Sequence, residues 1–186
     1  IQSRAGLGGN LCNASPSGDG IPALIAHSAV AKIASVNGTR NVAVEDFCTG
    51  PGRTVLEAGE LLVSIDVPRP AANSGAAYTR FIPRNEMDIA VAGVGVYVEL
   101  DGSGQNFVSA RIALASVGPT PILATEAGDS LAGKPVNDES IAAAAVLAKD
   151  AASPITDMRG TIDQRKQLIE VLTSRMINQA AERARG

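Results

Sequence analysis

The stretch Leu7 to Asp19, LGGNLCNASPSGD, concentrates the groups best suited to hold a polar ligand. Gly8 and Gly9 carry no Cβ, so their backbone N–H groups can approach an anion closely, and Asn10, Asn13 and Ser15 add hydrogen-bonding side chains. The run Gly6-Leu7-Gly8-Gly9-Asn10-Leu11 begins like the dinucleotide fingerprint GxGxxG, but Leu11 stands where the third glycine belongs. The helix that should open within such a loop is expected about ten residues later. No GxxxxGK[ST] phosphate loop is present. On local chemistry alone the stretch reads equally as a ligand loop or as an ordinary connection.

Other reactive side chains are sparse. His27 is the only histidine, and its setting, Ala-His-Ser-Ala, reads as helix filling with no serine and acid placed around it. A histidine-rich metal site is excluded, and no carboxylate cluster has ligand spacing. Cys12 and Cys48 form no CxxC pair, and an iron–sulfur cluster needs about four thiolates. Both are expected to be buried and reduced, in keeping with the lack of an export signal and a cytoplasmic setting. A net charge of −3 and 3% aromatic residues argue against nucleic acid, which calls for basic patches and stacking rings. No apolar run reaches the roughly 18 residues of a membrane helix.

The elements that must position these groups follow from patterning. The 186 residues, 45% apolar and 19% charged, suit one large or two small domains of ordinary soluble composition. Asp19 is placed to cap a helix over DGIPALIAH, with Pro22 in its first turn. AVAKIASV and TRNVAV predict two strands around Asn37-Gly38, a strong hairpin signal. EDFCTGPGRTVL reads as a turn and loop, and ELLVSIDVP as a strand ended by Pro68. RPAANSG, Arg69 to Gly75, has linker composition.

Beyond it AAYTRFI, IAVAGVGVYVEL and FVSARIALASV predict three strands, with Asp101-Gly102-Ser103-Gly104 closing a hairpin between the last two. TEAGDSLAG, DESIAAAAVLAKDAA and a long amphipathic helix from about Gly160 to Arg183 follow. In that helix Ile162, Leu168, Ile169, Leu172, Met176 and Ala180 form the apolar stripe, with Lys166, Glu170, Ser174 and Glu182 opposite. The fold class is therefore α+β. Two modules should meet near Arg69 to Gly75: an incomplete antiparallel sheet with one helix, then a three-stranded antiparallel sheet beside a three-helix bundle.

The order of motifs is more informative than any one of them. GLGGNLCNASPSGDGIPAL, FCTGPGRTVLEAGELLVSIDVP, YTRFIPRNEMDIAVAGVGVYVEL, ARIALASVGPTPILA and DAASPITDMRGT occur in this sequence from Ala5 to about Arg183. Together they resemble the FAD-binding medium subunit of the molybdenum hydroxylases, the carbon monoxide dehydrogenase, aldehyde oxidase and xanthine dehydrogenase group. The fifth motif carries one more alanine than the family pattern. The resemblance implies that residues 1–70 are the C-terminal portion of a PCMH-type FAD-binding domain and residues 71–186 the carbon monoxide dehydrogenase flavoprotein C-terminal domain. In the family this glycine loop is the second of two flavin loops. The lack of an initiator Met and the immediate entry into the loop then lead to the expectation of a preceding segment, and of weak FAD binding without it.

By this resemblance Gly6, Leu7, Gly8, Gly9 and Asn10 form the turn that reaches the FAD pyrophosphate and isoalloxazine edge. Gly6 stands where relatives usually carry Thr or Ser, so one hydroxyl contact is lost or replaced by backbone. Asp19 matches the acidic position on the ribityl or ribose side, against its plain reading as a helix cap. Val55 and Leu56 match an apolar pair on the isoalloxazine ring, against a reading as strand core. Arg80 falls where relatives carry Lys near the pyrimidine edge, where a cation stabilises negative charge on the reduced ring. Gln164 replaces a Tyr in the helical bundle. The implied function is an electron-transfer oxidoreductase subunit with no catalytic acid or base of its own. Electrons would come from a molybdenum cofactor in a large subunit through [2Fe–2S] clusters in a small subunit, and leave for an acceptor such as NAD or a quinone. Two other readings are a non-catalytic assembly module that binds no flavin, and a flavin reductase of the same FAD-binding fold, which lacks MDIAVAGVGV and the terminal-helix pattern.

Overall fold

The computed structural model describes residues 5–84 and 88–186, so Asn85 to Met87, within the third motif, lie outside the description. Helices α1 (Leu7–Cys12) and α2 (Gly20–Ala26) precede strands β1 (Val30–Ser35) and β2 (Gly38–Ala43). A single-turn helix α3 (Val44–Phe47) leads into a two-stranded ribbon, β3 (Cys48–Gly50) and β4 (Arg53–Thr54), and then β5 (Leu61–Asp66). β1 is the centre of an antiparallel sheet ordered β2-β1-β5.

Several local expectations need correction. The hairpin forms, but Ser35 pairs with Gly38, so its turn is Val36–Asn37, one residue ahead of the Asn-Gly pair. Ala31 and Ile33 are fully buried, and a one-residue slip would turn both outward, so burial sets the register over turn preference. The segment read as a loop holds α3 and the ribbon, because one helical turn carries both Val44 and Phe47 into the core. Three short helices therefore occupy this half where one was expected. Cys48 is buried as expected, but Cys12 is exposed on the outer side of α1, whose inward residue is Leu11.

The second half contains β6 (Ser74–Phe81), β7 (Ala92–Leu100), β8 (Phe107–Ala115) and a two-residue edge strand β9 (Ile122–Leu123), antiparallel and in sequential order. Helices α4 (Thr125–Asp129), α5 (Asp138–Ala151) and α6 (Ile162–Arg185) follow. Thr161 caps α6 by accepting from the Gln164 N–H, and Asn137 caps α5 from the Ser140 N–H. Ile169, Leu172, Met176 and Ala180 lie in the core as the stripe predicted, whereas Ile162, the first residue of α6, is 42% exposed.

Strand alternation sends the two faces of this sheet to different partners. Val94, Val96, Val98, Ile112 and Leu114 join α5 and α6 in one apolar core, while Ala113 joins α2, β1 and α3 in the other. Both faces are thus covered, one by the chain's own C-terminal helices and one by α2. Two glycines set the closeness of these layers. An ideal Cβ at Gly75 would lie 2.1 Å from the Ala180 carbonyl oxygen on α6, and one at Gly95 would lie 2.9 Å from the Pro22 carbonyl oxygen on α2.

A methyl group added at either glycine forces backbone apart. Gly75→Ala and Gly95→Ala are each expected to cost about 1–3 kcal/mol, as overpacking does. Gly102→Ala, where a Cβ meets nothing within 4 Å, should stay within about 0.5 kcal/mol. Urea unfolding of the three variants against the parent is the measurement; equal midpoints at Gly75 and Gly102 would contradict the close seating of α6.

Candidate functional site

Gly6 to Asn10 do not form a turn. Gly6 is extended (φ −81, ψ 139), and the next six residues coil into α1, with the Asn10 N–H donating to the Gly6 carbonyl at 2.9 Å. Winding wins here because it drops Leu11 into the core. The glycines are consequently not required by backbone conformation, since Gly6, Gly8 and Gly9 all avoid positive φ. What they provide is access. The N–H groups of Leu7, Gly8 and Gly9 precede the helical ladder. A Cβ at Gly6 or Gly9 would meet nothing within 4 Å, and one at Gly8 would meet only Leu62 Cδ2 at 3.8 Å.

Asp19 stands at the head of α2 but does not cap it. Its backbone is helical (φ −66, ψ −29) and its side chain makes no cap bond. The capping role passes to Asn10, whose Oδ1 accepts from the Gly20 N–H at 2.9 Å and so ties α1 to α2. The Asp19 carboxylate turns instead to β6: Tyr78 Oη donates to its Oδ1 at 2.9 Å, and Arg80 Nη1 donates to its Oδ2. Arg80 also reaches the Asp88 carbonyl at 3.4 Å. Burial, and then the Asp19 carboxylate beside it, push the Tyr78 phenol above its ordinary pKa, so it remains a donor at any physiological pH.

Val55 and Leu56 lie just beyond β4 rather than within a strand, half-buried against the core of β1, α2 and α3. The Val55 N–H donates to the Phe47 carbonyl at 3.0 Å, and its own carbonyl accepts from Arg40 Nη2 at 2.7 Å. Arg40 at the same time forks onto Glu60, at 2.8 and 2.7 Å. That bond and the Glu57 N–H hold the Glu60 carboxyl down at about 2.

Of the residues singled out from sequence, Gly6 to Asn10, Asp19 and Arg80 form one connected group through Asn10, Gly20 and the Asp19 carboxylate. Val55 and Leu56 are held separately. His27 ends α2 and packs edge-on to Tyr97, ring centres 5.3 Å apart, with burial lowering its pKa. Among the described residues no group of three side chains could hold a metal ion, and no helix is long and apolar enough to cross a membrane.

Two polar side chains with long-range partners were not found from sequence. Tyr78 is two residues before Arg80 on the same face of β6, and strand alternation would have found it. Arg165, 4% exposed, was hidden within an amphipathic helix. It donates to the carbonyls of Val91 and Ser116, at 2.7 and 2.9 Å, and to Asp157 at 2.7 Å. It borders a cleft of about 450 Å³ between the two halves, together with Pro16, Pro51, Ser116 and Pro154. Ser116 there has φ +66, an uncommon conformation for a residue with a side chain.

Comparison with known proteins places both halves of the chain in described families. Residues 77–180 match the CO dehydrogenase flavoprotein C-terminal domain, and residues 1–70 match the FAD binding domain in molybdopterin dehydrogenase. The chain is 34% identical over 180 residues to the carbon monoxide dehydrogenase medium chain of Afipia carboxidovorans, covering 96% of this chain and 61% of that one. It is 31% identical over 187 residues to the xanthine dehydrogenase FAD-binding subunit of Escherichia coli O157:H7, covering 100% and 63%. CO dehydrogenase from Oligotropha carboxidovorans superposes with a TM-score of 0.91 at 32% identity, covering 97% of this chain and 62% of that chain. The chain thus spans about 60% of the length of the relatives it matches.

The Arg40–Glu60 fork fixes a pH dependence for the loop that carries Val55 and Leu56. The folded-state pKa of Glu60 lies near 2, below its ordinary 4.5. The stabilisation is therefore complete above about 4.5 and is lost as pH falls through 2. Glu60→Gln should lower the urea midpoint at pH 7, and the gap to the parent should close between those two values on acidification. A gap that stays constant down to pH 2 would exclude the ion pair as its source.

Proposed function

The chain belongs to the family of FAD-binding medium subunits of the molybdenum hydroxylases, and we propose that it is the part of an oxidoreductase subunit that holds FAD for electron transfer. One observation carries this reading: the N-terminal end of α1, Asp19 and Arg80, more than seventy residues apart at their extremes, converge through Asn10, Gly20 and the Asp19 carboxylate. The groups present suit the cofactor's chemistry. A pyrophosphate needs N–H donors outside a helical ladder, and Leu7, Gly8 and Gly9 supply them. Ribityl and ribose hydroxyls need an acceptor such as the Asp19 carboxylate. The ring needs apolar contact, offered by Val55 and Leu56, and a cation at its pyrimidine edge, offered by Arg80.

Leu7, Gly8, Gly9, Asp19, Val55, Leu56 and Arg80 would hold FAD, which when bound would supply the redox chemistry of a subunit placed between the [2Fe–2S] clusters of a molybdenum enzyme and an acceptor such as NAD or a quinone. The chain's own residues bind and orient; none is assigned an acid–base role. Residues 1–70 are taken as the C-terminal portion of the FAD-binding domain and 71–186 as the flavoprotein C-terminal domain. A large molybdopterin-binding subunit and a small iron–sulfur subunit are the partners of this reading, in the cytoplasm. Arg80 in place of the family's Lys brings a planar fork instead of a compact ammonium, so its approach to a ring edge is directional.

Gly9 tests the assignment cleanly, because the fold itself tolerates a side chain there. Gly9→Ala should leave stability unchanged or raise it by about 0.5–1 kcal/mol, as expected for glycine replaced inside a helix. Gly9→Val in the full-length subunit should lose its flavin absorbance while the flavin-free protein melts close to the parent. Full flavin retention in that variant would show that α1 does not face the cofactor. A parent subunit that itself bound no flavin would favour the assembly-module reading instead.

A further inference from the structure

We infer that Tyr78 is a positioning residue for cofactor capture: its hydroxyl holds the Asp19 carboxylate in place, so that Arg80 can exchange Asp19 for the flavin without Asp19 losing its orientation. The inference rests on the reading that Asp19 and Arg80 face FAD, and it assigns distinct tasks to the two carboxylate oxygens. Oδ1 accepts from the Tyr78 hydroxyl at 2.9 Å, and Oδ2 accepts from Arg80 Nη1. A single Arg80 nitrogen, Nη1, serves both Asp19 Oδ2 and the Asp88 carbonyl. In the inferred exchange that nitrogen turns to the ring edge and lets Oδ2 go. That oxygen is then free to accept a hydroxyl from the ribityl chain, while Oδ1 stays anchored.

The partner that stays has to be neutral, rigid and unable to follow the ligand. Tyr78 meets each requirement. It is a rigid ring on β6, half-buried, with two rotatable torsions, and its hydroxyl reaches across from the second half of the chain to the first. Burial and the neighbouring carboxylate keep it protonated. Arginine could not take this role, since its long side chain and charge are what the ring edge attracts. The prediction is that the Tyr78 hydroxyl matters little while Arg80 still holds Asp19, and matters once Arg80 has left.

Tyr78→Phe in the full-length subunit separates these states. In the flavin-free protein Arg80 still fixes Asp19, so the melting temperature should move by no more than ~2 °C. FAD affinity, followed by quenching of flavin fluorescence, should fall about tenfold to hundredfold, the range for one hydrogen bond to a charged group. Asp19→Asn should weaken FAD as well, and Tyr78→Phe added to Asp19→Asn should bring no further loss beyond about twofold, because the two residues act as one unit. If Asp19→Asn binds FAD like the parent, the assignment of the flavin site is wrong. If Asp19→Asn weakens binding and Tyr78→Phe does not, the positioning role alone falls. A Tyr78→Phe protein that melts early or fails to fold without flavin would show that the hydroxyl serves the fold, and would overturn the inference too.

Discussion

The seating of α2 on the β6–β9 sheet is the contact on which the rest of the molecule depends. An antiparallel sheet ordinarily shows one face to water. Here the second face is covered by a helix from the first half of the chain, and Gly95 sets how closely it lies. Of the groups read as binding, Gly6 to Asn10, Asp19 and Arg80 sit along this seam, while Val55 and Leu56 are held apart from it. α1 is fixed to α2 through Asn10, and Asp19, adjacent to Gly20, meets Tyr78 and Arg80 from the sheet. A looser seam would leave each of these side chains in place on its own element and still dissolve the group.

Apolar burial, more than ion pairing, holds the seam. Ile21, Leu24 and Ile25 of α2 are buried beside Ala113 in one continuous core. Fully burying one such side chain is worth roughly 1.5–3 kcal/mol, against about 0–1 kcal/mol for a typical exposed ion pair. The charged contacts that cross the seam are better understood as fixing register. Arg111 donates to the Ile25 carbonyl at 3.1 Å and to Glu45 at 2.8 Å, which closes the C-terminal end of α2. The Asp19 cluster does the same at the N-terminal end. Between them α2 can neither slide nor turn, and the orientation of Asp19 follows.

Arg165 plays a comparable part on the far side of the cleft. Its guanidinium joins the backbone entering β7 at Val91, the backbone leaving β8 at Ser116, and Asp157 ahead of α6. The Arg159 N–H and then Arg165 itself hold the Asp157 carboxyl below the usual range, so the carboxylate stays ionised near neutrality. One buried cation therefore ties Asp157, ahead of α6, to the ends of two strands, β7 and β8, that already pair in one ladder. Gln164, beside it, donates its backbone N–H to the Thr161 cap on the exposed first turn of α6, apart from the Asp19 group.

The sequence by itself determined the elements whose signals are local. Alternation in GVGVYVEL and the stripe Ile169, Leu172, Met176 and Ala180 require a strand and a packed helix whatever surrounds them. The ordered motifs carried the family, and with it Asp19 and Arg80 as related positions. Tertiary structure decided what local chemistry left open. Whether LGGNLC winds or turns depends on Leu11 finding a core to enter, and whether Asp19 caps a helix or crosses to Tyr78 depends on β6 lying within reach. The hairpin turn at Val36–Asn37 was settled by the burial of Ala31 and Ile33. Arg165 reads as one more polar residue on a helix until the carbonyls of Val91 and Ser116, long-range in sequence, are brought to it. The dividing line is physical: periodicity and capping act over one turn or one strand pair, while the partner of a polar group is chosen by packing at a distance.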